Sequence, residues 1–520
     1  MKKIKTCLIA FSAMLMVSCS DFLEDYSQEL SKVEKWQDLD ELLLGEGYMK
    51  SSRFTTDQYN DPSDLNPNLD ILHYMSDELT QYADFDKGDP LAIVQPMFPF
   101  YTWQRDTGMD EDGRYMGGDE KYWNFLYERI NIVNMVLSEI DNMPEADAND
   151  KAGKERVKGE ALFLRAAYYF LLTNLYGEPY VPSKAESALG VPMKLTEYVE
   201  DIEFERASLK TLYGQITDDL TQAESLLDGK SRKSIYHAND IAAYLLHSRV
   251  ALYMQDWQTA ADMAARVIER QPQLRYLADV TPGSDAITKD SPETIFSMGG
   301  YLVAINFADY EGSFGDYYPT YTVSDDIVQL FDDDDYRKSL YIGESDLFGI
   351  ENVFLKVNGQ RKNWSRYYDV SDCFLLRTPE AYLTMAEANT YLGKEDDARA
   401  TLRKFLATRM MGAVNVTESG KELVDLIRNE RAKEFLLEGH RWFDLRRYTV
   451  CEPYPWSKTI EHAHVYYDSS RYDILETRYY RLEANDKAYT LPIPRKITNF
   501  QISLGKNERP DREPFNIIHN

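Results

Sequence analysis

The sequence predicts a mainly α protein in which tetratricopeptide-like helical repeats are wrapped by an irregular, loop-rich part. Three observations carry that expectation. Apolar residues recur at spacings of three and four through long stretches, two segments place small residues where paired helices would cross, and the stretches between are dense in Pro, Gly, Asn and Asp. No linker or low-complexity run divides the 520 residues, so 19–520 are expected to form one domain. Its helical-repeat parts lie near 30–272 and 372–448, and its irregular parts near 50–120, 273–371 and 449–520.

The chain begins with the basic Met1-Lys-Lys-Ile-Lys, followed by an apolar run from Cys7 to Val17 broken only by Ser12, and then polar Ser20-Asp21. That run is too short to cross a bilayer, which needs about 20 residues. Ser18-Cys19 at its end resembles a lipobox, with Met16 standing where Leu is usual. Residues 1–18 therefore read as a lipoprotein signal peptide, and Cys19 as the lipidated new N-terminus. No later segment is apolar enough to span, so the anchor would be lipid alone. Of the remaining cysteines, Cys373 and Cys451 are expected to be buried free thiols.

Trp36, Leu39 and Leu43 mark a first amphipathic helix, ended by Gly45 and Gly47. Asp-Pro, Asn-Pro and Gly-Asp-Pro punctuate the stretch to about Asp119, which reads as mostly irregular. Leu126, Ile130, Val133, Leu137 and Ile140 then predict a helix; Val157, Ala161, Leu164, Tyr168, Leu172 and Leu175 predict another, stopped by Gly177 and Pro179. Leu209 to Leu227 repeats the pattern. Tyr244, Ser248, Ala251, Trp257, Ala260, Ala264 and Pro272 fit the bulky and small positions of a tetratricopeptide unit, and so do Tyr382, Ala386, Gly393, Ala398 and Leu402. Backbones can approach where helices cross only if small residues stand there.

The formal charge is -29, and removing residues 1–18, which carry three lysines and no acid, makes it -32. Phosphate recognition wants a basic face, so nucleic acid is not an expected partner. No metal site or cofactor is expected. Asp332–Asp335 lacks the spacing and turn glycine of a calcium loop, Asp110-x-Asp112-Gly113 with Asp119 is only a fragment of one, and His462-x-His464, without a third ligand nearby, reads as a pair of surface histidines.

Between Ile427 and Arg447 charges sit inside an apolar helical stripe: Leu423, Ile427, Arg431, Glu434 and Glu438 share one face. The expected result is a buried ion network, with Glu434 and Glu438 available to Arg431 and Arg441. No nucleophile, His partner or Gly-rich loop accompanies the acids, so no catalytic residue is assigned.

The spacing Ile427-x-x-Glu430-Arg431-x-x-Glu434-Phe435-x-x-Glu438-Gly439-x-Arg441-x-x-Asp444-Leu445-x-Arg447 resembles the C-terminal signature of the SusD/RagB family of cell-surface nutrient-binding lipoproteins. Glu160–Phe170 with Tyr176-Gly-Glu-Pro179, Leu375–Ala388, Phe331-x-x-x-Asp335-x-Arg337 and Leu491-Pro-Ile-Pro494 resemble further family blocks. Arg495-Lys496 departs from the pattern, since an acidic residue is common there, and the family's usual ending is missing from Gln501–Gly505. The resemblance implies a noncatalytic lipoprotein on the outer face of the outer membrane. It would capture an oligosaccharide, or in RagB-like members a peptide, for a SusC-like TonB-dependent transporter.

Sugar rings stack their C–H faces on aromatics while amides, carboxylates and guanidiniums bind their hydroxyls. Three loop-rich stretches offer that mixture, and the ligand-binding candidates drawn from them are Tyr101, Trp103 and Arg105, then Tyr317 and Tyr318, then Trp364 and Tyr367.

Overall fold

The strongest periodicity in the chain becomes long helices. The computed structural model describes residues 33–49, 69–82, 91–198, 200, 202–230, 232–299, 307, 310–312, 315–317, 319–345, 349–357, 370–371, 373–467 and 473–519. Helix α1 (Trp36–Leu42) runs into a π-helical turn, Leu43–Gly47, and is followed by the short α2 (Ile71–Tyr74) and strand β1 (Leu79–Gln81). The stretch expected to be mostly irregular also holds α3 (Leu91–Tyr101), which carries Pro96 and Pro99 inside it.

The repeat part comprises α4 (Lys121–Glu139), α5 (Ala148–Tyr176), α6 (Leu209–Leu227), α7 (Asp240–Met254) and α8 (Trp257–Arg270). Each of α5 to α8 starts on a side-chain cap. Asp147, Ser208, Asn239 and Asp256 accept backbone N–H groups of their first turns. Helix α5 stops at Gly177, as the sequence predicts: the backbone turns extended there, and only glycine fits, since a Cβ would stand 2.7 Å from the Thr173 carbonyl oxygen.

Short ribbons follow: β2 (Thr294–Ser297), β3 (Tyr310–Gly312), β4 (Gly315–Tyr317), β5 (Tyr321–Val323), α9 (Asp325–Val328), α10 (Tyr336–Tyr341), β6 (Ile342–Gly343) and β7 (Val353–Phe354). Strand β8 (Leu375–Arg377) leads into α11 (Thr378–Tyr391), α12 (Glu395–Leu406), α13 (Gly420–Glu434) and α14 (Arg441–Tyr448). The C-terminal part is more regular than its sequence suggests, with β9 (Ile460–Tyr467), β10 (Ile474–Leu482), α15 (Arg495–Phe500) and β11 (Asn516–His519).

Successive helices stack side by side: α4 on α5, α5 on α6, α6 on α7, α7 on α8, α8 on α11 and α11 on α12. The two tetratricopeptide-like units are α7/α8 and α11/α12. Small residues do stand at the crossing of the first pair. Ser248, Ala260 and Ala264 are fully buried, and the Ser248 hydroxyl donates to the Ala260 carbonyl at 2.9 Å. The second unit docks on the first through Trp257 and Tyr391, whose rings lie parallel 4.0 Å apart. Each fully buried Leu or Phe in this layer contributes about 1.5–3 kcal/mol.

The irregular part is a set of antiparallel pieces. Strand β1 pairs with β5 (Leu79 opposite Val323, Gln81 opposite Tyr321), β2 with β8, β3 with β4, and β6 with β7. The largest sheet has the order β11-β10-β9. Cys373 and Cys451 are free and buried, as expected. No helix of the described residues is long and apolar enough to cross a membrane.

Candidate functional site

The charged motif that begins in α13 decides how the helices hold the irregular part. Glu434 accepts hydrogen bonds from Arg377 at 2.9 Å, from Arg409 at 2.8 Å and from Arg337 at 3.4 Å, and all four side chains are excluded from solvent. Glu293 joins Arg377 and Arg409 from a second side, at 2.8 and 3.0 Å. Glu438 takes Arg377 at 2.7 Å and Lys356. Burial alone would raise the Glu434 pKa, but the Arg409 and Arg377 guanidiniums outweigh it and hold the carboxyl far below the usual range. Burial lowers the Lys356 ammonium to about 8, against the pull of Glu438.

The expected partners were wrong in detail. Arg431 pairs with Asp444 at 2.9 Å, and Arg441 with Asp77 at 2.7 Å. Helix α13 ends at Glu434, and positive φ at Leu437 and Gly439 reverses the chain, so Glu438 leaves the helical face that its spacing implies. Asp335 and Arg337 of the Phe331–Arg337 block form an ion pair at 2.7 Å. Through Arg441, Asp77 is tied to α14, and Lys458 then links Asp77 at 2.9 Å to Asp326 at 2.7 Å. The β1/β5 ribbon is thereby fixed to the helices.

His462 and His464 are not surface residues. They lie on β9 at 3% and 0% exposure, because β9 packs against β1 and α3 closes over it. The His462 ring is sandwiched between Tyr101 at 4.1 Å and Trp103 at 4.4 Å, and its Nδ1 meets the Tyr101 carbonyl at 2.7 Å. Burial lowers its pKa to about 4. His464 Nε2 lies 2.9 Å from Glu111.

That sandwich relocates two sequence candidates. Tyr101 and Trp103 are fully buried; the Tyr101 hydroxyl accepts the Gln81 N–H, and the Trp103 indole N–H donates to the Met75 carbonyl. They present no face to solvent, since their rings pack on His462 and their polar tips are bonded inside the protein. Arg105 stands at the surface beyond them and donates to Asp511 at 2.9 Å. Tyr317 closes β4 opposite Tyr310. Its side chain, together with Tyr318, Trp364, Tyr367 and Cys19, lies outside the described residues.

Two clefts are lined by residues of these segments. One of about 390 Å³ is lined by Asp77, Asp325, Asp326, Glu461 and His462. The larger, about 590 Å³, lies between the loop after α3 and the C-terminal tail, with Arg105, Asp119, Arg495, Lys506 and Arg509 in its wall. Arg105 is the one sequence candidate among the residues lining it. Arg495 was legible only as half of the basic Arg495-Lys496 pair after Leu-Pro-Ile-Pro; Lys506 and Arg509 carried no local signal. The calcium-loop fragment is closed on itself, with Asp110 accepting the N–H groups of Asp112 and Arg114.

Residues 98–252 match a family described as "Starch-binding associating with outer membrane", and residues 348–508 match the SusD family. SusD-like protein P38 of Formosa agariphila is 23% identical over 382 residues, covering 62% of this chain and 71% of that protein. The structure of a SusD-like carbohydrate binding protein from Bacteroides vulgatus aligns with a TM-score of 0.66 at 19% identity, covering 92% of this chain and 98% of the other. A SusD superfamily protein from Bacteroides thetaiotaomicron aligns equally well at 22% identity, covering 91% and 100%. The ion-clamped signature, the helical array and these two matched regions agree, and the chain belongs to the SusD/RagB family.

Proposed function

We propose that this protein is a noncatalytic surface lipoprotein, anchored through Cys19, that captures an oligosaccharide and passes it to a SusC-like TonB-dependent transporter in the outer membrane. The observation that carries this reading is the pair of polar clefts held on an ion-locked helical scaffold. Binding residues concentrate on loops that a rigid frame positions, and the network around Glu434 and Asp77 supplies that rigidity. Arg105 contributes to the wall of the larger cleft. Tyr317, Tyr318, Trp364 and Tyr367 are the proposed aromatic contacts, while Tyr101 and Trp103 shape the face from beneath by gripping His462.

The charged lining of both clefts favours one second reading, capture of a peptide. Calorimetric titration against neutral and acidic polysaccharides and a tryptic peptide mixture separates the two, with Trp364→Ala alongside. Saturable glycan binding with no change in chain length, weakened in the variant, supports capture. Peptide-only binding moves the assignment to the second reading, and progressive shortening of a bound glycan overturns the noncatalytic assignment.

A further inference from the structure

The larger cleft is lined by four cationic side chains and three acidic ones, the reverse of the balance in the rest of the molecule. Acidic residues outnumber Lys and Arg by 87 to 58, and the buried arginines Arg337, Arg377, Arg409, Arg441 and Arg447 are each paired with carboxylates. Arg446 is different, but it lies on the Asn174 and Gly177 carbonyls at the C-terminal end of α5, where the helix dipole is negative. Arg509 has neither kind of partner. It is 5% exposed and donates to the Gln104 and Ala488 carbonyls, both at 2.8 Å. Its Nε is buried without a hydrogen-bond partner, and no carboxylate of the described residues lies within salt-bridge distance. Arg512, three residues on, pairs with Asp486 at 2.8 Å, so a carboxylate was within reach of the same segment. A buried charge without a counterion is costly, and such a group facing a cleft is poised for a ligand of opposite sign.

The surrounding wall agrees. Arg495 and Lys506 also line the cleft, and neither has a carboxylate within salt-bridge distance among the described residues. The Arg495 guanidinium lies instead 4.6 Å from the centre of the Tyr115 ring. Arg105 meets Asp511, but both are mostly exposed, so that pair is weak and exchangeable. Three acids also line the cleft: Asp119, which accepts the Tyr115 hydroxyl at 2.7 Å and the Arg495 N–H at 2.5 Å, Asp106, which accepts the Gly108 N–H at 3.0 Å, and Glu508.

We propose that this cleft binds an anionic group, a carboxylate or a sulfate ester, carried on the captured glycan. Arg509 would hold it from the buried side, and Arg105, Arg495 and Lys506 from the rim. The inference rests on the glycan-capture reading and adds to it the class of sugar. Burial, and then Arg512, lower the Arg509 pKa to about 9, a penalty that a seated anion would relieve. Because the whole chain carries -29, its long-range field repels polyanions, so recognition here depends on direct contact inside the cleft.

The test titrates the full-length protein with polygalacturonate, with carboxyl-reduced polygalacturonate, with a sulfated galactan and its desulfated form, and with poly-glutamate. The exposed positions are varied as Arg105→Glu and Lys506→Glu, with thermal melting as the check on folding. At least one charged polysaccharide should bind more tightly than its neutralised form. Each charge reversal should weaken it roughly tenfold, as expected for loss of a charge-assisted hydrogen bond, without lowering the melting temperature. Which polymer loses affinity on neutralisation tells carboxylate from sulfate. Equal binding of charged and neutralised polymers, or neutral-glycan binding untouched by both variants, overturns the anionic cleft and leaves capture standing. Poly-glutamate binding as tightly as the acidic glycans overturns the glycan assignment of the site, and binding of no glycan at all removes the capture reading along with it.

Discussion

Arg377 reaches Glu434 at 2.9 Å with both side chains wholly excluded from solvent, and the same carboxylate also receives Arg409 and Arg337. Replacing Glu434 by Ala takes the shared carboxylate away from three buried guanidiniums, leaving Arg377 and Arg409 on Glu293 and Arg337 on Asp335. Breaking a buried ion pair from one side costs about 3–5 kcal/mol, so urea unfolding of Glu434→Ala should show a loss in that range. A loss below 1 kcal/mol would show that the network is dispensable.

His462 should make stability depend on pH in a defined window. Its folded pKa, about 4, lies below the ordinary 6.5, so between those values the unfolded chain binds the proton and the folded chain does not. Stability from this group is therefore full above pH 6.5, falls as pH drops toward 4, and changes no further below it, a total of roughly 3 kcal/mol. Urea midpoints measured from pH 7 to 4 should show this slope in the wild type, and a much flatter one in His462→Phe. Asp444 adds a later loss, as pH falls from its ordinary 3.8 to about 2.

Glycine in the middle of a helix is ordinarily improved by Ala, by roughly 0.5–1 kcal/mol. At Gly153 the opposite is expected. A Cβ there would stand 2.5–2.7 Å from the Trp36 ring, and Trp36 is itself held by its indole N–H on Asp150. Gly153→Ala should destabilise by about 1–3 kcal/mol, as overpacked sites do, and a stabilised variant in thermal melting would refute the packing argument.

Cys373 and Cys451 should resist modification in the native protein. Burial raises the Cys451 thiol to about 11, which leaves little thiolate at neutral pH. Mass mapping after iodoacetamide should find both unlabelled without denaturant and both labelled in 8 M urea, the latter figure being roughly the concentration that unfolds most domains.

The anchor is tested at its own residue. Cells fed an alkyne fatty acid should incorporate label into the wild-type chain and not into Cys19→Ser, which should appear in the soluble fraction. Label retained in Cys19→Ser would displace the lipid from Cys19.

The helices were readable because their signals are local. Leu126 to Ile140, and Val157 to Leu175, repeat every three or four residues, and that spacing alone places them on one face of α4 and α5. The small residues Ser248, Ala260 and Ala264 announced a close crossing within about one helical hairpin, and the signature from Ile427 to Arg447 announced charges buried among apolar neighbours. The two free thiols and the family followed from composition and motif in the same way.

What only the tertiary structure decided was which distant residues meet. Arg377 and Glu434 are 57 positions apart, Arg441 and Asp77 are 364, and no periodicity within α13 could name those partners. Tyr101, Trp103 and His462 looked like loop and surface residues until β9 packed beside β1 and turned all three inward. The larger cleft joins Asp119 to Arg495 across 376 positions. Sequence spacing reports the geometry of one turn of chain, and so it determined the elements and the burial of the charged motif. Burial of the histidines, the pairing of the charges and the walls of the cleft come from contacts between elements, which only the folded chain brings together.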